Sequence, residues 1–270
     1  MEQNAASEQM EQLTPREADE VETLGAVVEE QESRAEPGNM KIDLHCHSEA
    51  SADCSTPLML FPARCRERGV RIQAITDHNE IWGAQKLQEI VEEEKVKKAG
   101  FPLTIIVGEE VSTTHGEIIG LFLKEKIPAG MSPGETVTAI KEQGGLVSLP
   151  HGFDPLKRWR LQPAALETVA DQIDIVETFN ARISQPRWNQ AAVDWSRLHG
   201  LPMSAGSDAH TLADIGSAWV EVPLQHIRTP QDLLAALQSG VPVGEWTHPV
   251  IAFAYKFWDR SLRRLGVRKA

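Results

Sequence analysis

The 270-residue chain has no apolar stretch approaching the roughly 20 residues that a membrane-spanning helix needs. Its longest apolar runs, such as Ile118 to Leu123, are strand-length. The first residues lack the basic start and apolar run of a signal peptide and are too acidic for a transit peptide, so a soluble, cytoplasmic protein without membrane contact is expected. Cysteine is scarce. Cys46, Cys54 and Cys65 are an odd number clustered within twenty positions, which argues against a disulfide framework and for a reducing compartment. Positive charge is also in deficit: the formal net charge is −12. With no extended basic groove to follow a phosphate backbone, long duplex nucleic acid is not an expected partner, although short single strands remain possible ones.

Most of that acidity is local. Residues 1–39 hold eleven Asp and Glu against two Arg, which leaves only three excess acids on residues 40–270. The short apolar patches around Leu24 and around Val27 and Val28 cannot bury enough surface to offset chain ordering, so 1–39 is expected to be an acidic disordered tail. At 41% apolar content the rest can build a sizeable core. One catalytic domain over residues 40–245 is the economical division. Residues 246–270 read as a basic amphipathic helix whose Phe257, Trp258 and Leu262 pack on that domain, in preference to meeting acidic lipid or nucleic acid.

Short β-rich runs alternate with helical stretches after residue 40: Lys41 to Leu44, Arg71 to Thr76, Leu103 to Val107, Glu117 to Leu123, Leu146 to Leu149, Asp174 to Thr178 and Leu201 to Ala205. Amphipathic segments such as Trp82 to Ala99 and Gln185 to His199 lie between them. The alternation predicts an α/β fold with a largely parallel sheet or barrel. Ser132-Pro133-Gly134-Glu135 has the spacing of a capping box with Pro at the first helical position, and Gly144-Gly145 ends that helix.

In β/α barrels the active site gathers at the C-terminal ends of the strands. The polar residues of this chain collect there: His45 and His47, Asp77 and His78, Glu109 and Glu110, His151, Glu177, and Asp208 and His210. His45 and His47, two apart at the end of the first run, face the same way and can bind one metal while Asp53 swings in from the following loop. Imidazole and carboxylate suit borderline divalent ions such as zinc, manganese and iron(II), and this many groups can hold two or three of them. Two metals a few ångströms apart suit phosphoester hydrolysis, because they activate water near neutral pH and neutralise the phosphoryl and leaving oxygens.

Five motifs, Asp43-Leu44-His45-Cys46-His47-Ser48, Ile75-Thr76-Asp77-His78-Asn79, Gly108-Glu109-Glu110-Val111-Ser112-Thr113, Leu149-Pro150-His151 and Gly206-Ser207-Asp208-Ala209-His210, resemble the PHP (polymerase and histidinol phosphatase) family in order and spacing. The resemblance implies a single-domain, distorted (β/α)7 TIM-like barrel. It also implies a bi- or trinuclear site held by His45, His47, Asp53, His78, Glu110, His151, Asp208 and His210, with a bridging hydroxide as nucleophile. Two positions depart from the family pattern. Glu117 stands where many members have a histidine and would serve as an oxygen ligand, favouring harder metals such as manganese slightly. Asp53 sits in Ser51-Ala52-Asp53-Cys54-Ser55, where Asp-Gly is usual.

Other roles are expectations of the same reading. Asp77 orients a ligand histidine or takes a proton from water, with orientation favoured, and His210 is a ligand or the acid to the leaving group. Arg182 clamps substrate phosphate or pairs with Glu177. Arg158, in the Lys157-Arg158-Trp159-Arg160 run, either meets substrate charge or belongs to a solvated loop. Glu109 is expected to face solvent or to support the site, Cys46 to be a small buried residue, and His115, His199, His226 and His248 to lie outside the site. The activity predicted is hydrolysis of a phosphomonoester or phosphodiester of a small metabolite, nucleotide or short oligonucleotide. The rivals are an amidohydrolase-type barrel, an exonuclease and a non-catalytic metal-binding domain.

Overall fold

Strands rich in Ile, Val and Leu that are buried on both faces need layers of structure on each side, and that requirement organises the chain. In a computed structural model, residues 38–97 and 102–251 are described, all within the unit Ala35–Ala270. The acidic segment up to residue 37 and, beyond residue 251, most of the expected C-terminal helix lie outside the described residues.

The elements follow in the order β1 (Asn39–Asp43), α1 (Phe61–Arg68), β2 (Val70–Ile75), α2 (Trp82–Lys97), β3 (Thr104–Thr113), β4 (Gly116–Leu121) and α3 (Pro133–Glu142). They continue with β5 (Leu146–Leu149), α4 (Pro163–Val169), β6 (Ile175–Asn180), α5 (Pro186–His199), β7 (Met203–Gly206), β8 (Ala218–Pro223), α6 (Pro230–Leu237) and β9 (Val241–Gly244). All seven expected runs are strands. β8 and β9, which the sequence reading did not list, extend the same sheet, whose order is β7-β6-β5-β4-β3-β2-β1-β8-β9. β4 runs antiparallel to both neighbours because β3 turns straight back through Thr114 and His115 into Gly116, whose φ of +123° no other residue adopts readily.

The sheet curls until its ends nearly meet, giving the barrel expected from the sequence. Beyond Asp43 the chain continues alongside β7: Leu44 N–H donates to Ala205 O (3.1 Å), Asp208 N–H to His45 O (2.8 Å) and His47 N–H to Ala209 O (3.1 Å). Alternate strand residues divide between two apolar clusters. Ile42, Ile72, Ile106, Ile119, Ile175 and Val220 share one cluster with Leu233 and Leu237 of α6, while Val70, Ile75, Val107, Val147 and Val176 pack in the other with Leu87 of α2 and Ile140 of α3.

No helix among the described residues is long and apolar enough to cross a membrane. A cavity of about 1120 Å³ opens at the N-terminal ends of β1 to β3, lined among others by Met40, Arg71, Thr104, Phe122 and Arg228. It shares no residue with the polar groups at the opposite strand ends.

Two substitutions separate local from tertiary stabilisation. Ser132 and Glu135 form the reciprocal capping box of α3, so Ser132→Ala should cost about 1 kcal/mol and leave the rest intact. Gly206 ends β7 where it passes β1: a Cβ there would lie 2.2 Å from His45 Cβ and 2.3 Å from Glu177 Oε1. Gly206→Ala should cost about 1–3 kcal/mol by overpacking and displace His45 as well. Thermal unfolding followed by circular dichroism should show the larger loss for Gly206→Ala; equal shifts for the two variants would contradict the tight closure.

Candidate metal centre

His45, at the closing edge of the barrel, has a fixed ring. Its Nδ1 lies 2.9 Å from Glu177 Oε1, and a carboxylate only accepts, so the proton sits on Nδ1 and Nε2 faces the interior. His47 Nδ1 is 3.1 Å from Ser51 Oγ, which also accepts from the His78 backbone N–H at 2.9 Å. The Nε2 atoms of His45 and His47 are 3.2 Å apart and aimed at one locus.

Glu110, 1% exposed, is the hub. Its Oε2 lies 3.3 Å from His45 Nε2, 3.3 Å from His47 Nε2 and 3.2 Å from His78 Nδ1, and its Oε1 lies 3.0 Å from His151 Nε2. The β3 backbone sets it there, since Glu110 N–H donates to Asp77 O and Glu110 O accepts from Asn79 N–H. Glu117, from the adjacent strand, approaches His78 at 3.5 Å and His151 at 3.9 Å. Asp208 Oδ1 lies 3.5 Å from His47 Nε2 and 3.5 Å from His210 Nδ1, and Asp53 reaches His210 Nε2 at 2.9 Å.

Four overlapping sets of donor atoms thus lie within 4.8 Å of one another: His47, His78 and His210; His45, Glu110 and His151; His45, His47 and Asp208; and His78, Glu110 and Glu117. All nine residues named as ligands from the sequence are brought together, with Asp53 at the rim on His210. Asn79, His151 and Asp208 hold positive φ of 55°, 29° and 49°. Such backbone strain at three strand-end loops is the kind that concentrates at functional sites.

The charge balance bears directly on whether a cation fits. Burial opposes charge on Glu110 and Asp208, yet His45 and His78 around the first, and Lys157 and His45 around the second, hold both carboxyls well below their usual range. Glu117 goes the other way: burial, then the negative charges of Glu110 and Asp208, push it up to about 10. Burial works against protonation of His47, but Asp208 and Glu110 outweigh it and raise it to about 9. Burial and the neighbouring His47 push His210 down to about 3. Carboxylates crowd this set closely enough to push a proton onto Glu117, and paired Nε2 atoms with convergent carboxylates are the donor chemistry of divalent metals. The residues fit a multi-metal site.

Several expectations need correction. Asp77 touches no histidine ring: its carboxylate accepts from Ser48 N–H (2.6 Å) and Ser48 Oγ (2.7 Å), so it fixes the turn that carries Ser51. Glu109 does not face solvent. It is fully buried, accepts from Ile127 N–H at 2.8 Å, and is pushed by burial up to about 7. Arg158 is exposed, its guanidinium 4.7 Å over the Trp159 ring; the cation that this loop sends to the site is Lys157, whose ammonium sits on Asp208 Oδ2. Arg182 does not pair with Glu177; it lies 3.5 Å from Asp208 O and 3.9 Å from Asp214.

Sequence reasoning also passed over Asp43, which accepts from Ser207 N–H (3.0 Å) and Ser207 Oγ (2.6 Å) and so ties the first motif to the last. Burial raises its pKa to about 6 despite those donors. The available signal was its place two residues before His45, on the same face of the extended chain.

A model of the PHP domain matches residues 43–166, and a PHP-associated model matches residues 186–242. The chain is 34% identical over 199 residues to the uncharacterized protein MJ0417 of Methanocaldococcus jannaschii, covering 72% of this chain and 75% of that one. It is 40% identical over 153 residues to MJ1587 of the same organism, covering 53% and 82%. Among solved structures, it is similar to a two-domain Bacteroides vulgatus protein containing a PHP-like metal-dependent phosphoesterase, with a TM-score of 0.61 and 17% identity, over 77% of this chain and 65% of that one. It is also similar to PsfC from Pseudomonas syringae, with a TM-score of 0.60 and 18% identity, over 83% and 99% of the two chains. At these identities the structural likeness is one of fold. The two matched models in order, the barrel, and the His, Glu and Asp clusters at its strand ends agree: the chain belongs to the PHP family.

Proposed function

We propose that the chain is a metal-dependent phosphoesterase that hydrolyses a phosphomonoester or phosphodiester of a small metabolite, nucleotide or short oligonucleotide in the cytoplasm. The observation that carries this reading is Glu110, a buried carboxylate within 3.3 Å of four imidazoles from three separate strand-end motifs. His45, His47, Asp53, His78, Glu110, Glu117, His151, Asp208 and His210 would hold two or three manganese, zinc or iron ions. When bound, such ions neutralise developing charge on phosphoryl and leaving oxygens and make water a competent nucleophile near neutral pH.

The protein's own groups do the rest. Glu177 and Ser51 set the ring orientations of His45 and His47, and the Asp77–Ser48 pair fixes the turn between them. His210 shares one donor set with His47 and His78, which favours a ligand role over that of acid to the leaving group. Asp77, fully buried with both oxygens occupied by Ser48, is likewise favoured as a positioning group over a base.

Three outcomes are expected. Metal-depleted protein reconstituted with manganese, zinc or iron(II) should take up two or three ions per chain by elemental analysis and hydrolyse bis-p-nitrophenyl phosphate or nucleoside monophosphates, and a chelator should abolish turnover. His47→Ala and Asp208→Ala should each lose bound metal and at least about 10²-fold in activity; full activity in a metal-depleted variant would refute the reading. Glu117→His, which exchanges an oxygen ligand for a nitrogen one, should move the manganese-to-zinc affinity ratio towards zinc by about tenfold in competition titrations.

A further inference from the structure

Two loops carry cations to Asp208, one after β5 and one after β6, and a single buried carboxylate joins them. Asp154, fully buried and outside the ligand set, accepts from Ser184 N–H (2.7 Å) through Oδ2, and from Ser184 Oγ (2.6 Å) and Leu156 N–H (2.9 Å) through Oδ1. Its own N–H donates to His151 O and its carbonyl accepts from Lys157 N–H at 3.1 Å. Asp154 thereby fixes the turn from His151 to Lys157 and pins it to the segment two residues past Arg182.

What it positions is unusual. Lys157 places its ammonium on Asp208 Oδ2, and Arg182 places Nη1 3.5 Å from Asp208 O, so two cations flank one residue. Their charges oppose each other, since Arg182 works against the charge of Lys157. Arg182 has five N–H donors in its side chain, yet among the described residues its guanidinium makes no hydrogen bond or ion pair shorter than 3.5 Å. Both side chains keep a solvent-facing part, 26% for Lys157 and 15% for Arg182, whereas Asp208 is 4% exposed. Two like charges held together, both partly open to solvent and one with donors to spare, are the arrangement a tetrahedral oxyanion completes.

We infer that Asp154 is a positioning residue that locks the β5 and β6 loops together, so that Lys157 and Arg182 form a two-point cradle for the oxyanion of a phosphoryl group. The inference rests on the phosphoesterase reading and adds to it a residue remote from the donor cluster. The Asp154→Asn change is isosteric but replaces an acceptor by an amide in a pocket of donors, so the lock should loosen without a change in volume.

The test uses the metal-loaded full chain and inorganic phosphate, with binding followed by calorimetry and metal content by elemental analysis. Lys157→Met and Arg182→Met should each weaken orthophosphate at least tenfold with metal content unchanged. Asp154→Asn should weaken it by a similar factor, raise KM more than it lowers kcat, and add less than its full effect in the Lys157→Met background, because the two changes share the Lys157 arm while Asp154 also holds the Arg182 arm. Should Asp154→Asn fail to fold, Ser184→Ala, which deletes one of the three accepted bonds, should give the same pattern at several-fold. Unaltered phosphate affinity in the folded Asp154 or Ser184 variant, or full additivity with Lys157→Met, would overturn the cradle while leaving the phosphoesterase reading in place. If the wild-type chain took up its metals but neither bound phosphate nor hydrolysed any ester, both readings would fall.

Discussion

The constraint on which the rest depends is the burial of the Glu110 carboxylate among four imidazoles. A carboxylate taken out of water is costly unless charge or hydrogen bonds compensate it, and Glu110 lies beside His45, His47, His78 and His151 in place of solvent. Because those histidines come from three different stretches of chain, the carboxylate has its partners only when the barrel is closed. Folding and assembly of the site are therefore one event. The same crowding pushes Glu117 to keep its proton against burial, Glu110 and Asp208, and a bound cation would take the place of that proton.

Closure itself is arranged at the seam between the first and last motifs. Asp43 holds Ser207, Leu44 and His47 donate to the chain leaving β7, and Gly206 leaves just enough room for His45 and Glu177 to meet. A side chain at Gly206 would occupy the space in which the His45 ring is oriented. Positive φ at Asn79, His151 and Asp208 turns three loops sharply at the strand ends: the His151 and Asp208 side chains join the donor cluster, while that of Asn79 binds Ser112.

Around the donor atoms runs a layer of carboxylates and hydroxyls whose work is geometric. Glu177 fixes the tautomer of His45, Ser51 serves His47 and His78, Asp77 holds Ser48, and Asp154 ties the β5 loop to the β6 loop. Each acid is buried and each is satisfied by neighbouring donors, which is the condition under which buried polar groups specify one structure. Glu109 stands apart. It secures the 122–131 loop by a single bond to Ile127, and one of its oxygens has no hydrogen-bond partner among the described residues.

The sequence by itself determined the α/β alternation, the seven strand positions, the capping of α3 and the gathering of His, Asp and Glu at strand ends, because each is written in local spacing: period two for strands, Ser-x-x-Glu at a helix start, and a polar residue directly after an apolar run. Glu117 as an oxygen donor was legible from the family resemblance instead, as a departure at a single position, and its approach to His78 came only with the fold. Tertiary structure alone decided the rest. That Lys157 and not Arg158 turns to Asp208, that Asp77 serves a serine and not a histidine, that Glu109 is buried, and that Asp154 reaches Ser184 are facts about partners about thirty or more positions away, or about which way one side chain of a loop faces. Neither residue identity nor periodicity encodes them, since loop direction is set by hydrogen bonds that exist only once the barrel has closed.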